Sequence, residues 1–105
     1  MADRELMLSI LTNLETELKE LELWESVSPP VQAFESELPF FHDTMVFPQW
    51  LQWVFIARFR AILEGSHVLP GQCDVAPMAE EYFKTTELYA DPIVGLLRRF
   101  DEQFS

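Results

Sequence analysis

FPQWLQWVFIARFR, residues 47–60, is the stretch that decides the fold. Pro48 lies near its start and Gly65 soon follows it, which predicts a helix over residues 47–64. On a helical wheel at about 100° per residue, one side contains Trp50, Leu51, Val54, Phe55, Ala61 and Ile62. An apolar arc this wide is typical of a central helix that several neighbours contact.

Two large apolar residues fall on the polar side of the same wheel. Trp53 and Ile56 lie there beside two glutamines and an arginine. Tryptophan and arginine are common hot-spot residues of protein interfaces, so we expect this side to contact a partner protein. The predicted contact surface consists of Gln49, Gln52, Trp53, Ile56 and Arg60. The alternative for Trp53 is cover by the chain's own loop at residues 29–41.

Arg58 falls in the apolar arc, where a charged side chain is out of place. A buried arginine needs a carboxylate partner, and Asp43 or a glutamate of the first helix would supply it. An alternative function is a small-molecule site between this helix and residues 39–46, because bundles hold ligands between helices. The predicted pocket consists of Phe40, His42, Asp43, Trp50 and Arg58.

Apolar stripes predict three further helices. The first helix, over residues 3–24, has its stripe at Met7, Leu11, Leu14, Leu18 and Leu21. The last helix, opened by Asp91 and Pro92, has its stripe at Ile93, Leu96, Leu97, Phe100 and Phe104. A third helix is expected from about residue 77 to residue 90. The sequence therefore predicts an all-α fold, a compact antiparallel four-helix bundle.

The long segment between the first two helices, residues 25–46, must cross or cap this bundle. Its prolines favour one or two short helical turns rather than a full helix. Phe40 and Phe41 are too apolar for a free loop, so we expect at least one ring to fill a gap in the bundle. Asp43 or Thr44 is predicted to cap the second helix, and His42 to bond a loop carbonyl.

Charge and composition limit the classes of function. The chain has 105 residues, which predicts one domain over residues 1–105, and its net charge is −11. This charge repels phosphate, so no direct binding to nucleic acid is expected, and a partner protein with a basic surface is favoured. A minor alternative is mimicry of nucleic-acid charge. We find no signal peptide or apolar run long enough for a membrane span, which predicts a cytoplasmic protein.

Catalytic and metal-binding motifs are missing from the sequence. The two histidines, His42 and His67, are far apart and lack the spacing of metal ligands. Cys73 is the single cysteine, and no motif supplies a third group to orient a Cys73–His67 pair. We therefore expect no metal, no cofactor and no enzymatic activity.

The pattern PFFHDTM…WLQWVFIARF…LPG…VAP, over residues 39–77, resembles the YqcC-like family of small bacterial proteins. The resemblance extends more loosely over the first helix, with its closing LELW, and over the helical tail. It implies a four-helix, all-α cytoplasmic domain, and it implies no activity. In some bacteria the family's members are associated with a tRNA pseudouridine synthase. We expect a non-catalytic interaction or accessory module that is a monomer or a weak dimer.

Overall fold

Four α-helices form the fold in a computed structural model that describes residues 3–65 and 67–104. The first helix, α1, spans Arg4–Glu20, and the last two, α3 and α4, span Ala76–Lys84 and Asp91–Glu102. The second helix, α2, runs continuously over residues 47–64. The predicted all-α fold with four helices is confirmed for the described residues.

Helix α2 has three parts with different hydrogen-bond geometry. It begins as an α-helix at Phe47–Trp50, continues as a π-helix at Leu51–Ile56 and ends as an α-helix at Ala57–Glu64. Two short 3₁₀ turns, Val31–Glu35 and Pro39–Phe41, lie in the segment that links α1 to α2. This agrees with the expectation of short helical turns in a proline-rich link.

The core lies where α1 packs against α4 and α2. The predicted stripe of α1 is buried, except that Leu21 is half-buried at its end. In the predicted stripe of α4, Ile93, Leu97 and Phe100 are fully buried, and Leu96 and Phe104 pack at its edge. Both stripes are confirmed because a periodic apolar pattern fixes which face of a helix avoids water.

Helix α1 ends four residues earlier than predicted, at Glu20 instead of residue 24. The Glu22 N–H donates to the Lys19 carbonyl oxygen at 3.0 Å, and the Leu23 N–H donates to the Leu18 carbonyl oxygen at 2.8 Å. These two bonds form a Schellman motif, in which Glu22 has the left-handed φ of 61° that usually calls for glycine. Residues 23–25 therefore do not continue the helix.

The π-helical part of α2 explains why the wheel misplaced several residues. A π-helical turn holds an extra residue, so the faces beyond it are displaced by about 100° from an ordinary α-helix. Consequently Ile56 and Leu63 are buried, while Arg58 and Ala61 are exposed. The expectation of a buried Arg58 is therefore wrong.

Two arginines of α2 make contacts that the sequence did not predict. The Arg58 guanidinium lies over the Phe41 ring, 5.7 Å from its centroid. The glutamate of α1 pairs with Arg60 instead, because Arg60 Nη2 lies 2.7 Å from Glu15 Oε1. Lys19 contacts the same carboxylate at 2.7 Å, and hydrogen bonds from Lys19 and then Arg60 lower the pKa of Glu15.

Phe40 and Phe41 pack into two different apolar clusters. Both have left-handed backbone, with φ of 56° and 50°. The Phe40 ring lies against Trp50 at 4.7 Å between centroids, in the main core. Phe41 packs against the smaller cluster of Ala33, Met45 and Val54. The expectation that at least one of the two rings fills the bundle is confirmed.

The N-terminus of α2 is capped by a residue that was not predicted to cap it. The Val46 N–H donates to the side-chain oxygen of Gln49 at 3.0 Å, so Gln49 caps the helix from within. The Thr44 hydroxyl instead donates to the Ala33 carbonyl oxygen at 2.7 Å, and Asp43 accepts from the Ser36 hydroxyl. Both residues stabilise the link rather than the helix, so the predicted cap is wrong.

Candidate functional site

The polar face of α2 is occupied by the chain's own residue Glu25. The Glu25 N–H donates to Gln52 Oε1 at 2.8 Å, and Gln52 Nε2 donates to the Glu25 carbonyl oxygen at 2.7 Å. One side-chain amide thus satisfies both polar backbone groups of a single residue. Because Gln52 is only 5% exposed, these bonds are shielded from water.

Two more side chains of α2 bind the carboxylate of Glu25. Gln49 Nε2 lies 3.2 and 3.3 Å from its two oxygens, and Trp53 Nε1 donates to one of them at 3.0 Å. We call Gln49, Gln52 and Trp53, together with the residue that they hold, the Glu25 clamp. The clamp holds residue 25, at the start of the link between α1 and α2, against α2.

The Glu25 clamp changes the interpretation of the predicted contact surface. Ile56 is 1% exposed and belongs to the core, and Gln52 is buried, so neither can contact a partner protein. For these two residues the prediction is wrong, because the π-helical turn and Glu25 were not foreseen. Trp53 is half-buried, and its indole N–H binds the Glu25 carboxylate. Arg60 keeps partial exposure beside Glu15.

An open groove of about 330 Å³ lies along another side of α2. Its floor and one wall are aromatic, formed by Phe40, Trp50, Phe55 and Phe59. Residues 70–75 form the opposite wall, and Arg58 stands at the rim. We call this feature the aromatic groove. Neighbouring rings contact each other closely, with the Phe55 and Phe59 centroids 5.0 Å apart, so the floor is well packed.

The structure brings together only part of the predicted pocket. Phe40, Trp50 and Arg58 all line the aromatic groove. His42 lies instead in a neighbouring recess of about 200 Å³, which it shares with Phe40. Asp43 lines neither of the two, since its carboxylate binds Ser36 within the link. The wall at residues 70–75 was not predicted, because nothing in the sequence pattern indicates which helix this loop approaches.

The Asp101 carboxylate of α4 fixes this loop wall. It accepts from the Val75 N–H at 2.9 Å, from the Ala76 N–H at 2.8 Å and from Cys73 Sγ at 3.2 Å. Burial raises the pKa of the Cys73 thiol far above its usual value, and the Asp101 carboxylate raises it further. A thiol in this state is a poor nucleophile, so Cys73 acts here as a wall residue.

The described residues contain neither a metal-binding cluster nor a membrane-spanning helix. Within them, no three or more His, Cys, Asp and Glu side chains are grouped so that they could hold a metal ion. No helix in the described part of the chain combines the length and the apolar character needed to cross a bilayer.

The chain is similar to several known bacterial proteins. An uncharacterized protein of Haemophilus influenzae is 43% identical over 74 residues, which cover 70% of this chain and 70% of that protein. The uncharacterized protein YqcC of Escherichia coli is 37% identical over 95 residues, which cover 90% and 87%. A solution NMR structure of YqcC matches with a TM-score of 0.83 and 35% identity, over 99% of this chain and 89% of that chain.

A third relative is much longer than this chain. A protein of Pectobacterium carotovorum named tRNA pseudouridine synthase C is 43% identical over 60 residues, which are 57% of this chain and 16% of that protein. The family model DUF446, described as tRNA pseudouridine synthase C, matches residues 6–103. A match over nearly the whole chain, together with the shared fold, shows that the chain belongs to the YqcC-like family.

Proposed function

We propose that this protein is a non-catalytic accessory module that acts by contact with another protein, and that its partner is a tRNA pseudouridine synthase. One observation carries the choice of partner. A segment similar to this chain forms a small part of a longer protein that bears this name. When two parts of one protein correspond to separate proteins in other bacteria, binding between the separate proteins is favoured. Covalent linkage and binding are two ways of keeping the same two parts together.

The charge of the chain supports contact with the enzyme rather than with its RNA. At −11 the chain repels the phosphates of tRNA. An enzyme that binds tRNA must present a basic surface, and opposite fields accelerate the encounter of two such proteins. The expected interaction is therefore protein to protein, with an association rate that falls as salt rises.

Binding between the two purified proteins tests this proposal. The chain and the tRNA pseudouridine synthase C of the same bacterium should elute together in size-exclusion chromatography, and the complex should weaken with added salt. A basic RNA-binding protein of unrelated function is the control for charge alone. The proposal fails if the synthase forms no complex, if the control protein binds equally well, or if tRNA binds the chain directly.

The aromatic groove also favours a second candidate function, the binding of a small molecule. Its volume of about 330 Å³ lies at the lower end of the range of ligand pockets, about 300–1,000 Å³. Phe40, Trp50 and Arg58 would then bind an aromatic carboxylate. Saturable shifts of groove resonances with a free aromatic carboxylate, at micromolar affinity, would support this function. Their absence would remove it.

A further inference from the structure

We propose that the aromatic groove is the docking site for the partner protein, and that it receives one apolar side chain with a carboxylate next to it. The apolar side chain packs on the aromatic floor, and the carboxylate pairs with Arg58 at the rim. This inference rests on the proposed function, because it assumes that the chain works through protein contact.

The shape of the groove suits an anchor side chain better than a whole ligand. It is open to solvent, so a free small molecule would keep much of its surface in water. A partner's side chain enters from one side while the partner's own surface covers the opening. A large aromatic or branched side chain fits within about 330 Å³, and such anchors supply most of the energy of many interfaces.

Arg58 supplies the charge that specifies the occupant. Four other cations of the described residues form ion pairs with glutamates: Lys19, Arg60, Lys84 and Arg98. Arg58 forms no ion pair within the described residues and is exposed; its side chain lines the groove, and its guanidinium lies over the Phe41 ring, 5.7 Å from the centroid. A positioned, exposed guanidinium favours a carboxylate, which it can bind through two parallel hydrogen bonds.

The opposite wall determines how an occupant must be oriented in the groove. Gln72 Nε2 donates to Asp74 Oδ2 at 2.9 Å, so this lip presents a carboxylate. A partner's carboxylate is repelled from Asp74 and attracted to Arg58. The occupant must therefore place its acidic group on the α2 side of the anchor.

The walls of the groove are held before any partner arrives. Phe40, which forms one wall, and the next residue, Phe41, both have positive φ. This conformation costs bulky residues about 1–3 kcal/mol each. The loop wall is tied to α4 by the Asp101 carboxylate. Backbone strain of this kind concentrates at functional sites, and a fixed groove loses little entropy when it binds.

Two blocked dipeptides test the chemistry of the occupant directly. N-acetyl-Glu-Phe-amide and N-acetyl-Gln-Phe-amide differ only in the charge beside the phenylalanine. In NMR titrations of the intact chain, both should shift amide signals of groove residues, and the charged peptide should bind about two- to fivefold more tightly. Arg58→Ala should remove this advantage. Equal binding of the two peptides, or shifts elsewhere on the chain, would overturn the inference.

Matched variants test the groove in the complex with the synthase. Arg58→Glu reverses the charge at the rim, and Gln72→Trp fills the groove from its exposed lip. Each should weaken the complex by about tenfold or more. Arg99→Glu and Gln32→Trp are the controls, because they make the same changes at exposed residues outside the groove and should stay within about twofold. Circular dichroism checks that all four variants are folded.

The two proposals fail in different ways. If the wild-type chain binds the synthase and the two groove variants bind it equally well, the groove inference is wrong and the proposed function stands. If the wild-type chain does not bind the synthase, the proposed function is wrong, and the dipeptide titrations alone decide whether the groove accepts this chemistry.

Discussion

Replacing Gln52 with alanine should destabilise the protein more than most substitutions of a polar residue do. The change removes the partners of both backbone groups of Glu25, which are bonded at 2.8 and 2.7 Å. A neutral hydrogen bond contributes about 0.5–1.5 kcal/mol net, so two bonds give a loss of about 1–3 kcal/mol. The groups left behind are partly buried, which places the expected value at about 2 kcal/mol.

Urea unfolding followed by far-UV circular dichroism measures this loss. With a slope of about 2 kcal/mol per molar urea, the unfolding midpoint should fall by about 1 M. Gln32→Ala is the matched control, because Gln32 is exposed and its removal should change stability by less than about 0.5 kcal/mol. If Gln52→Ala costs no more than Gln32→Ala, the Glu25 clamp does not stabilise the fold.

A double-mutant cycle separates the carboxylate of the clamp from its backbone. Trp53→Phe removes the indole N–H and keeps a ring, and Glu25→Gln removes the charge and keeps the side-chain length. The two changes should be coupled by about 1 kcal/mol, since a hydrogen bond to a charged group is stronger than a neutral one. Additive effects would show that the bond between Trp53 and Glu25 contributes nothing to stability.

Three further predictions concern stability and reactivity. Glu22→Gly should raise the free energy of unfolding by about 0.5–1 kcal/mol, because glycine adopts the left-handed backbone without strain. Glu22→Val should lower the free energy of unfolding. Urea unfolding measures both, and a shift of both variants in the same direction would contradict this prediction. The pKa of Glu15 is lowered by hydrogen bonds from Lys19 and Arg60, so its ionised form contributes stability above pH 4.5, which is lost as pH falls through the lowered pKa. Glu15→Gln should therefore cost about 0.5–1 kcal/mol at neutral pH and almost nothing at low pH, and an equal cost at both would refute this account. The raised pKa of Cys73 predicts that iodoacetamide alkylates the folded protein at pH 8 far more slowly than the urea-unfolded protein, and comparable rates would contradict a protonated thiol.

Local periodicity made the helices of the bundle predictable. The stripes of α1 and α4 repeat every three or four residues, and such a pattern is readable without knowledge of any distant contact. The aromatic pair at Phe40 and Phe41 was also readable, because two such rings are rarely left in water. In each case the information lies within one short segment.

The features of the site depend on contacts that no short segment contains. A π-helical turn uses the same residue types as an α-helix, so the wheel gave no sign of the displacement that exposes Arg58 and buries Ile56. Glu25 lies 27 residues before Gln52, and no spacing rule links them. One signal was present in the sequence: Gln49, Gln52 and Trp53 fall on one face of a helix, and buried polar groups of this kind require partners.

The distribution of charge reconciles an acidic chain with a docking site for a carboxylate. Residues 44–66 have a net charge of +1, whereas residues 1–43 have −8 and residues 67–105 have −4. Helix α2 is therefore the place where an acidic group meets the least repulsion. At separations up to about 10 Å, the Debye length at moderate salt, the summed negative charge attracts a basic partner, and at contact distance Arg58 determines which group of that partner is bound. Attraction at a distance and pairing at contact thus involve charges of opposite sign, and they act at different stages of binding.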